Sequence, residues 1–134
     1  MATITPKLTI TGTAAHLGAA LSLAVEATLT IDEPFVGVSR ITATTTGGAS
    51  VIAPSANVPR YVYLKHTGLN DAGGDSGADK VMVELADSGD RDQIMELKAN
   101  EFAFFPYYQG EAGILQLQAS ANTVRVEYAY FTRG

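Results

Sequence analysis

Between Leu21 and Ile31 the residues Leu21, Leu23, Val25, Ala27, Leu29 and Ile31 fall at every second position, with Ser22, Ala24, Glu26, Thr28 and Thr30 between them. A period of two belongs to an extended chain, whose successive side chains point to opposite faces, so the segment predicts one half-buried strand. Eight further strand-length segments follow the same logic, at 7–11, 36–45, 60–67, 80–86, 93–99, 101–107, 114–120 and 123–131. Turn residues separate them: Asp32-Glu33-Pro34, Gly47-Gly48, the Gly/Asp run from Asn70 to Asp79, Ser88-Gly89-Asp90, and Gly110 to Gly113. No clear long helix lies between the strands, and parallel pairing needs such crossovers. The expected fold is therefore all-β: an antiparallel, jelly-roll-like β-sandwich of about nine strands that forms a single domain over 1–134. The Ala-rich segment TAAHLGAA before Leu21 fits a short helix as well as a strand, and periodicity does not choose between them.

The chain has 134 residues, enough to bury a core without a metal or disulfide staple. It has no cysteine, which excludes disulfides, thiol catalysis and cysteine-ligated metals, and fits synthesis in a reducing cytoplasm. MATITPK lacks a basic region leading into an apolar one, and the apolar stretch LGAALSLAV is far shorter than a membrane span, so neither an export signal nor a membrane anchor is expected. The net charge of −5 is unevenly spread: residues 71–101 hold nine acidic against three basic side chains, a balance of −6 that leaves +1 for the rest. A polyphosphate attracts the opposite field, so no nucleic-acid partner is expected.

Catalytic machinery is sparse. His16 and His66 are the only histidines, neither at metal-binding spacing from another, and no HExxH, GxSxG or phosphate-binding loop occurs. Asp32-Glu33 and the pair Asp90/Asp92 read as solvated turn residues, because acid/base work needs convergence in a pocket. His66 reads as a surface or turn histidine, with a metal contact to Asp71 or Asp75 as the alternative. The loop NDAGGDSGADK offers GGDSGAD to calcium, one residue out of register with the GGxGxD repeat and unrepeated. Its glycines impose no path and it has no large apolar residue beyond Leu69, so an exposed, mobile loop is expected. No catalytic residue, cofactor or metal is assigned.

The aromatic surplus points elsewhere. EFAFFPYYQG places Phe102, Phe104, Phe105, Tyr107 and Tyr108 around Pro106, more aromatic surface than one small core can take. The expectation is that Phe102 and Phe104 enter the core while Phe105, Tyr107 and Tyr108 line a contact with a neighbouring subunit of a homo-oligomer, such as a trimer. Tyr61, Tyr63, Phe105 and Phe131 stand where an exposed sheet would carry polar residues, which suggests a second covered face. At the N-terminus Ile4, Leu8 and Ile10 alternate with threonines across Pro6, whose missing N–H suits an edge strand. Residues 1–13 are thus an N-terminal arm that binds either its own sandwich or, by strand addition, a partner, and Ile4, Leu8 and Ile10 are its interface residues.

The order of these segments, with YVYLKHTG, an acidic hairpin, then ELKANEFAFFPYYQGEAGILQLQASANTVRVEYAYFTRG, resembles a pattern of small structural proteins of tailed bacteriophages. The residues that carry the resemblance are Lys65, Thr67, Leu97, Glu101, Phe102, Pro106, Val126, Glu127, Tyr128 and Phe131. His66 stands where the pattern has Asn, and Asn100 where it has Gly. Over 58–134 the resemblance implies a virion protein, most like a capsid decoration, or cement, protein on the outer shell, with the major capsid protein as partner, and it implies that the N-terminal arm reaches a neighbouring protein rather than its own sandwich. A neck, tail or fibre component is the first alternative. A carbohydrate-binding sandwich is the second, though such sites favour tryptophan and the chain has none. A cupin-type enzyme would need more histidines around its barrel than the two present.

Overall fold

The computed structural model describes residues 2–12, 21–32, 37–46, 50–51, 59–87, 90–108 and 114–134. His16 and the segment 14–20, whose helical or extended character the sequence leaves open, lie outside them. Twelve strands and no helix are found among the described residues: β1 (Ala2–Ile4), β2 (Lys7–Gly12), β3 (Leu21–Glu26), β4 (Leu29–Ile31), β5 (Ser39–Ala43), β6 (Ser50–Val51), β7 (Pro59–His66), β8 (Val81–Asp87), β9 (Asp90–Leu97), β10 (Phe102–Tyr108), β11 (Ile114–Ala119) and β12 (Val124–Thr132).

Strands β5 to β12 build the body. They form two four-stranded sheets, ordered β10-β7-β12-β5 and β6-β11-β8-β9, with every neighbouring pair antiparallel. The pairing is nested: β5 joins β12, β6 joins β11, β7 joins β10, and β8 joins β9. That is the pairing of a long hairpin rolled into a two-layered jelly roll, the all-β architecture that the turn spacing predicts. Between the layers lie Val62, Leu64, Val124 and Val126 from one sheet and Val81, Val83, Leu115 and Leu117 from the other, all with no accessible surface.

Register then decides which aromatic points where. Val62 pairs with Phe105, Leu64 with Ala103 and Arg60 with Tyr107 across β7 and β10. Residues directly opposite share a face, so Ala103, Phe105 and Tyr107 follow Val62 and Leu64 inward. Phe102, Phe104, Pro106 and Tyr108 therefore face outward, and Phe102 and Tyr108 are 59% and 62% exposed. The expected assignment is thus inverted for four residues: Phe102 and Phe104 leave the core, while Phe105 and Tyr107 join it. A one-residue change of phase exchanges the two faces completely. Tyr108 alone of the three expected contact aromatics stays outside. Strand β10 is an edge of its sheet, which accommodates the missing N–H of Pro106.

The N-terminal strands form a second element. Residues 2–4 pair with 29–31 and residues 7–12 with 21–26, in one unchanged register across the gap, and Ala27 N–H reaches Pro6 C=O at 3.4 Å. They are a single hairpin interrupted at Pro6, so the alternating segment from Leu21 to Ile31 is two strands rather than one, and the N-terminal arm pairs with its own chain. Its root is anchored: Ile31 is 1% exposed, Asp32 N–H bonds Thr132 C=O, and Gly134 N–H bonds Thr30 C=O. Its outer part, β2 with β3, pairs with no other described strand, and all of β3 is exposed instead of half-buried.

The Asn70–Asp79 loop is exposed, yet its path is fixed by hydrogen bonds, contrary to the expectation of a loop without a preferred course. Asn70 Oδ1 accepts from Gly74 N–H, Asp75 Oδ1 accepts from Gly77 N–H, and Thr42 donates to Asp71 Oδ1. Short polar side chains that bond nearby backbone supply the order that apolar anchoring does not. At the next turn Asn100 adopts φ 69°, the left-handed region that glycine favours and asparagine tolerates. It thereby serves in the position where the phage pattern has Gly.

The inverted phase of β10 has a direct test. Phe105→Ala should cost about 2–3 kcal/mol of unfolding free energy and Phe102→Ala no more than about 0.5 kcal/mol, measured by chemical denaturation. The opposite ranking would restore the sequence-based assignment.

Candidate binding surface

The outward face of β10, β7 and β12 is built from cross-strand rows. Phe104, Tyr63 and Ala129 form one row, and Pro106, Tyr61 and Phe131 the next. On the diagonal between them Tyr61 and Phe104 stack, with centroids 5.9 Å apart and planes 12° from parallel. Arg133 lies over Tyr61, 5.2 Å from its centroid. Strand β7 thus holds aliphatic residues inward and tyrosines outward, and the second covered face suggested by Tyr61, Tyr63 and Phe131 exists in part. Phe105 does not belong to it.

The hairpin root supplies the cover. Ile4, Thr5 and Pro6 line an open cleft of about 360 Å³ together with Val38, Tyr63, Phe104, Ala129 and Phe131. Ala129 is consequently only 3% exposed although it points away from the core. A second cleft, of about 480 Å³, runs between Pro6, Leu8, Val25 and Ala27 of the hairpin and Phe102 and Phe104 of the edge strand. Pro6 and Phe104 line both, so one apolar strip continues from the covered root to the open ribbon.

Of the residues proposed from sequence as contacts, Ile4 is half-buried in the first cleft, Leu8 borders the second, and Leu8 and Ile10 are 43% and 40% exposed. Tyr108 stands apart at the far end of β10. Sequence reading missed Leu21, Leu23 and Val25, which pair across the ribbon with Gly12, Ile10 and Leu8 and share their face. Their alternation was visible, but it suggested burial within the sandwich.

His66, Asp71 and Asp79 are occupied structurally. His66 is fully buried, correcting its expected surface position: Nδ1 accepts from Gly68 N–H at 3.0 Å, and Nε2 donates to Asp79 C=O at 3.0 Å. Both ring nitrogens thus tie the two ends of the acidic loop to the sandwich. Asp71 accepts from Thr42, and Asp79 from Asn122. Among the described residues no group of three or more His, Asp or Glu side chains could hold a metal ion. Among them no helix is long and apolar enough to cross a membrane.

Two tyrosines titrate above their ordinary value of 10.0. Burial raises Tyr63, with the Glu127 carboxylate adding to it; burial raises Tyr107 while the Arg60 guanidinium opposes. Comparison with family models, curated proteins and solved structures finds no match to the chain.

Two outcomes follow from these contacts. His66→Ala should cost about 3 kcal/mol in denaturant unfolding, because it leaves a cavity and orphans the Gly68 N–H and the Asp79 C=O. An unchanged midpoint would show that the loop does not need this latch. A tyrosine whose folded-state pKa is raised contributes stability below pH 10 that is lost as the pH climbs through the folded value. The melting temperature should therefore fall above pH 10, and Tyr107→Phe should shrink that fall relative to the wild type.

Proposed function

We propose that the chain is a structural protein of a tailed-phage virion, a capsid decoration protein that binds the outer shell through protein–protein contacts and stabilises it. The observation that carries this reading is the outward aromatic edge: Phe102 and Tyr108 stand at the two ends of an edge strand, 59% and 62% exposed, and Phe102 borders an apolar strip that no described element fully covers. Large aromatic side chains left in water at an edge suit recognition by a protein surface, where a few such anchors dominate affinity. The jelly roll supports the reading by architecture, since capsid proteins use it, as do lectins and cupins. The sequence resemblance over 58–134 selects the virion among these.

In this role the major capsid protein is the partner and the shell exterior the location. Eight of the nine acidic side chains of 71–101 belong to the His66-latched loop and to β8 and β9, in the sheet opposite the aromatic face, while Glu101 lies in the turn before β10. Docking through the aromatic face would turn that charge toward solvent.

The test is co-sedimentation with emptied shells of the phage that encodes the chain. Each of Phe102→Ala and Tyr108→Ala should weaken binding on the order of 30-fold, the equivalent of about 2 kcal/mol per anchor, with melting temperature nearly unchanged. Shell binding that survives the double substitution would reject this surface. Absence of shell binding with binding to tail assemblies or glycans would reject the decoration role.

A further inference from the structure

The N-terminal hairpin displays one apolar face in continuous register, covered at its root and bare beyond it. Ile31 is 1% exposed where the hairpin meets the body, whereas Leu8, Ile10, Leu21, Leu23 and Val25 on the outer part are 40–51% exposed. The pairs Leu8–Val25 and Ile10–Leu23 put these residues side by side. The opposite face carries Thr9, Thr11, Ser22 and Ala24 with a Lys7–Glu26 ion pair at 3.3 Å. An isolated two-stranded ribbon is marginal in water, and one with an aliphatic face gains most from having that face covered.

We propose that the cover is a second copy of this chain, with the two ribbons packed apolar face to apolar face about a two-fold axis. Self-pairing needs a surface that complements itself: Leu8, Ile10, Leu21, Leu23 and Val25 carry no charge, Lys7 at the border of the cleft is neutralised by Glu26, and the acidic surplus lies in 71–101. The area is sufficient. With Phe102 at the mouth of the cleft, the six half-exposed side chains present on the order of 500 Å², at the upper end for one patch on a monomer. Two such patches bury roughly 1,000 Å² together, the threshold of a specific interface. This pairing shares Phe102 with the shell-binding edge and leaves Tyr108 free, so Tyr108→Ala reads the shell contact and Leu23→Lys the pairing of the ribbons.

Sedimentation velocity of the full chain over roughly 1–100 µM should show a concentration-dependent dimer, undiminished at high salt as expected of apolar contact. Leu23→Lys should give a monomer with unchanged circular dichroism, because the side chain lies outside the core, while Ala24→Lys on the polar face should leave the dimer intact. A wild-type monomer throughout the range would overturn the proposal, as would a dimer broken by Ala24→Lys but not by Leu23→Lys. A monomer that loses shell binding on Leu23→Lys would assign the ribbon to the shell and likewise overturn it.

Discussion

Strand β7 sets the geometry on which the remainder of the structure depends. Its alternate residues Val62, Leu64 and His66 have no accessible surface, and it lies between β10 and β12 in the centre of its sheet. A strand with one wholly buried face has a fixed phase, and each antiparallel neighbour inherits that phase through direct opposition. Phe105 and Tyr107 on one side, and Val126, Tyr128 and Tyr130 on the other, face inward because their partners on β7 do. Both faces of β7 are used: the aliphatic one closes the core, and the tyrosine one receives the hairpin root. His66 extends the same logic past the strand's end, holding the acidic loop to the sandwich through both ring nitrogens.

The strands of the body were legible in the sequence because period-two alternation and Gly/Asp/Pro turns are local signals. Phase was legible only where one class of residue filled a face. In β12 the series Val124, Val126, Tyr128, Tyr130 separates from Arg125, Glu127, Ala129 and Phe131, and the structure keeps that division. In β10 the neighbours Phe104 and Phe105 are equally apolar, so the pattern itself has two admissible phases. The information that chooses between them is the pairing with β7, a contact some forty residues distant in the chain. The loop from Asn70 to Asp79 failed for a related reason. Its glycines suggested freedom, whereas its order comes from the local bonds of Asn70 with Gly74 and Asp75 with Gly77, and from the Thr42–Asp71 bond, which only the folded arrangement brings together.

The binding surface was half legible. The aromatic surplus around Pro106 correctly raised the question of an outward face, since five large rings exceed what one layer of core can take. Which rings face outward depended on β10's phase, so Phe102 replaced Phe105 and Tyr107 at the surface. At the N-terminus the alternation of Ile4, Leu8 and Ile10 was visible, and Pro6 correctly indicated a strand that does not sit centrally. Its partner was less visible, because the complementary alternation from Leu21 to Ile31 was read as a strand of the sandwich rather than as the other arm of the same hairpin.

Pro6 explains how one hairpin serves two environments. Proline cannot donate to the ladder, yet the register before and after it is identical, so the interruption breaks the ladder without exchanging faces. Had a residue been inserted or lost there, Leu8, Ile10, Leu23 and Val25 would lie on the face opposite Ile4 and Ile31, and the apolar strip would break at the edge of the sandwich. Constant register instead carries a single apolar surface from the Tyr63–Phe104–Phe131 cleft out beyond the body. The outer ribbon is therefore oriented by its buried root, and whatever covers its aliphatic face meets a surface continuous with Phe102 and Phe104.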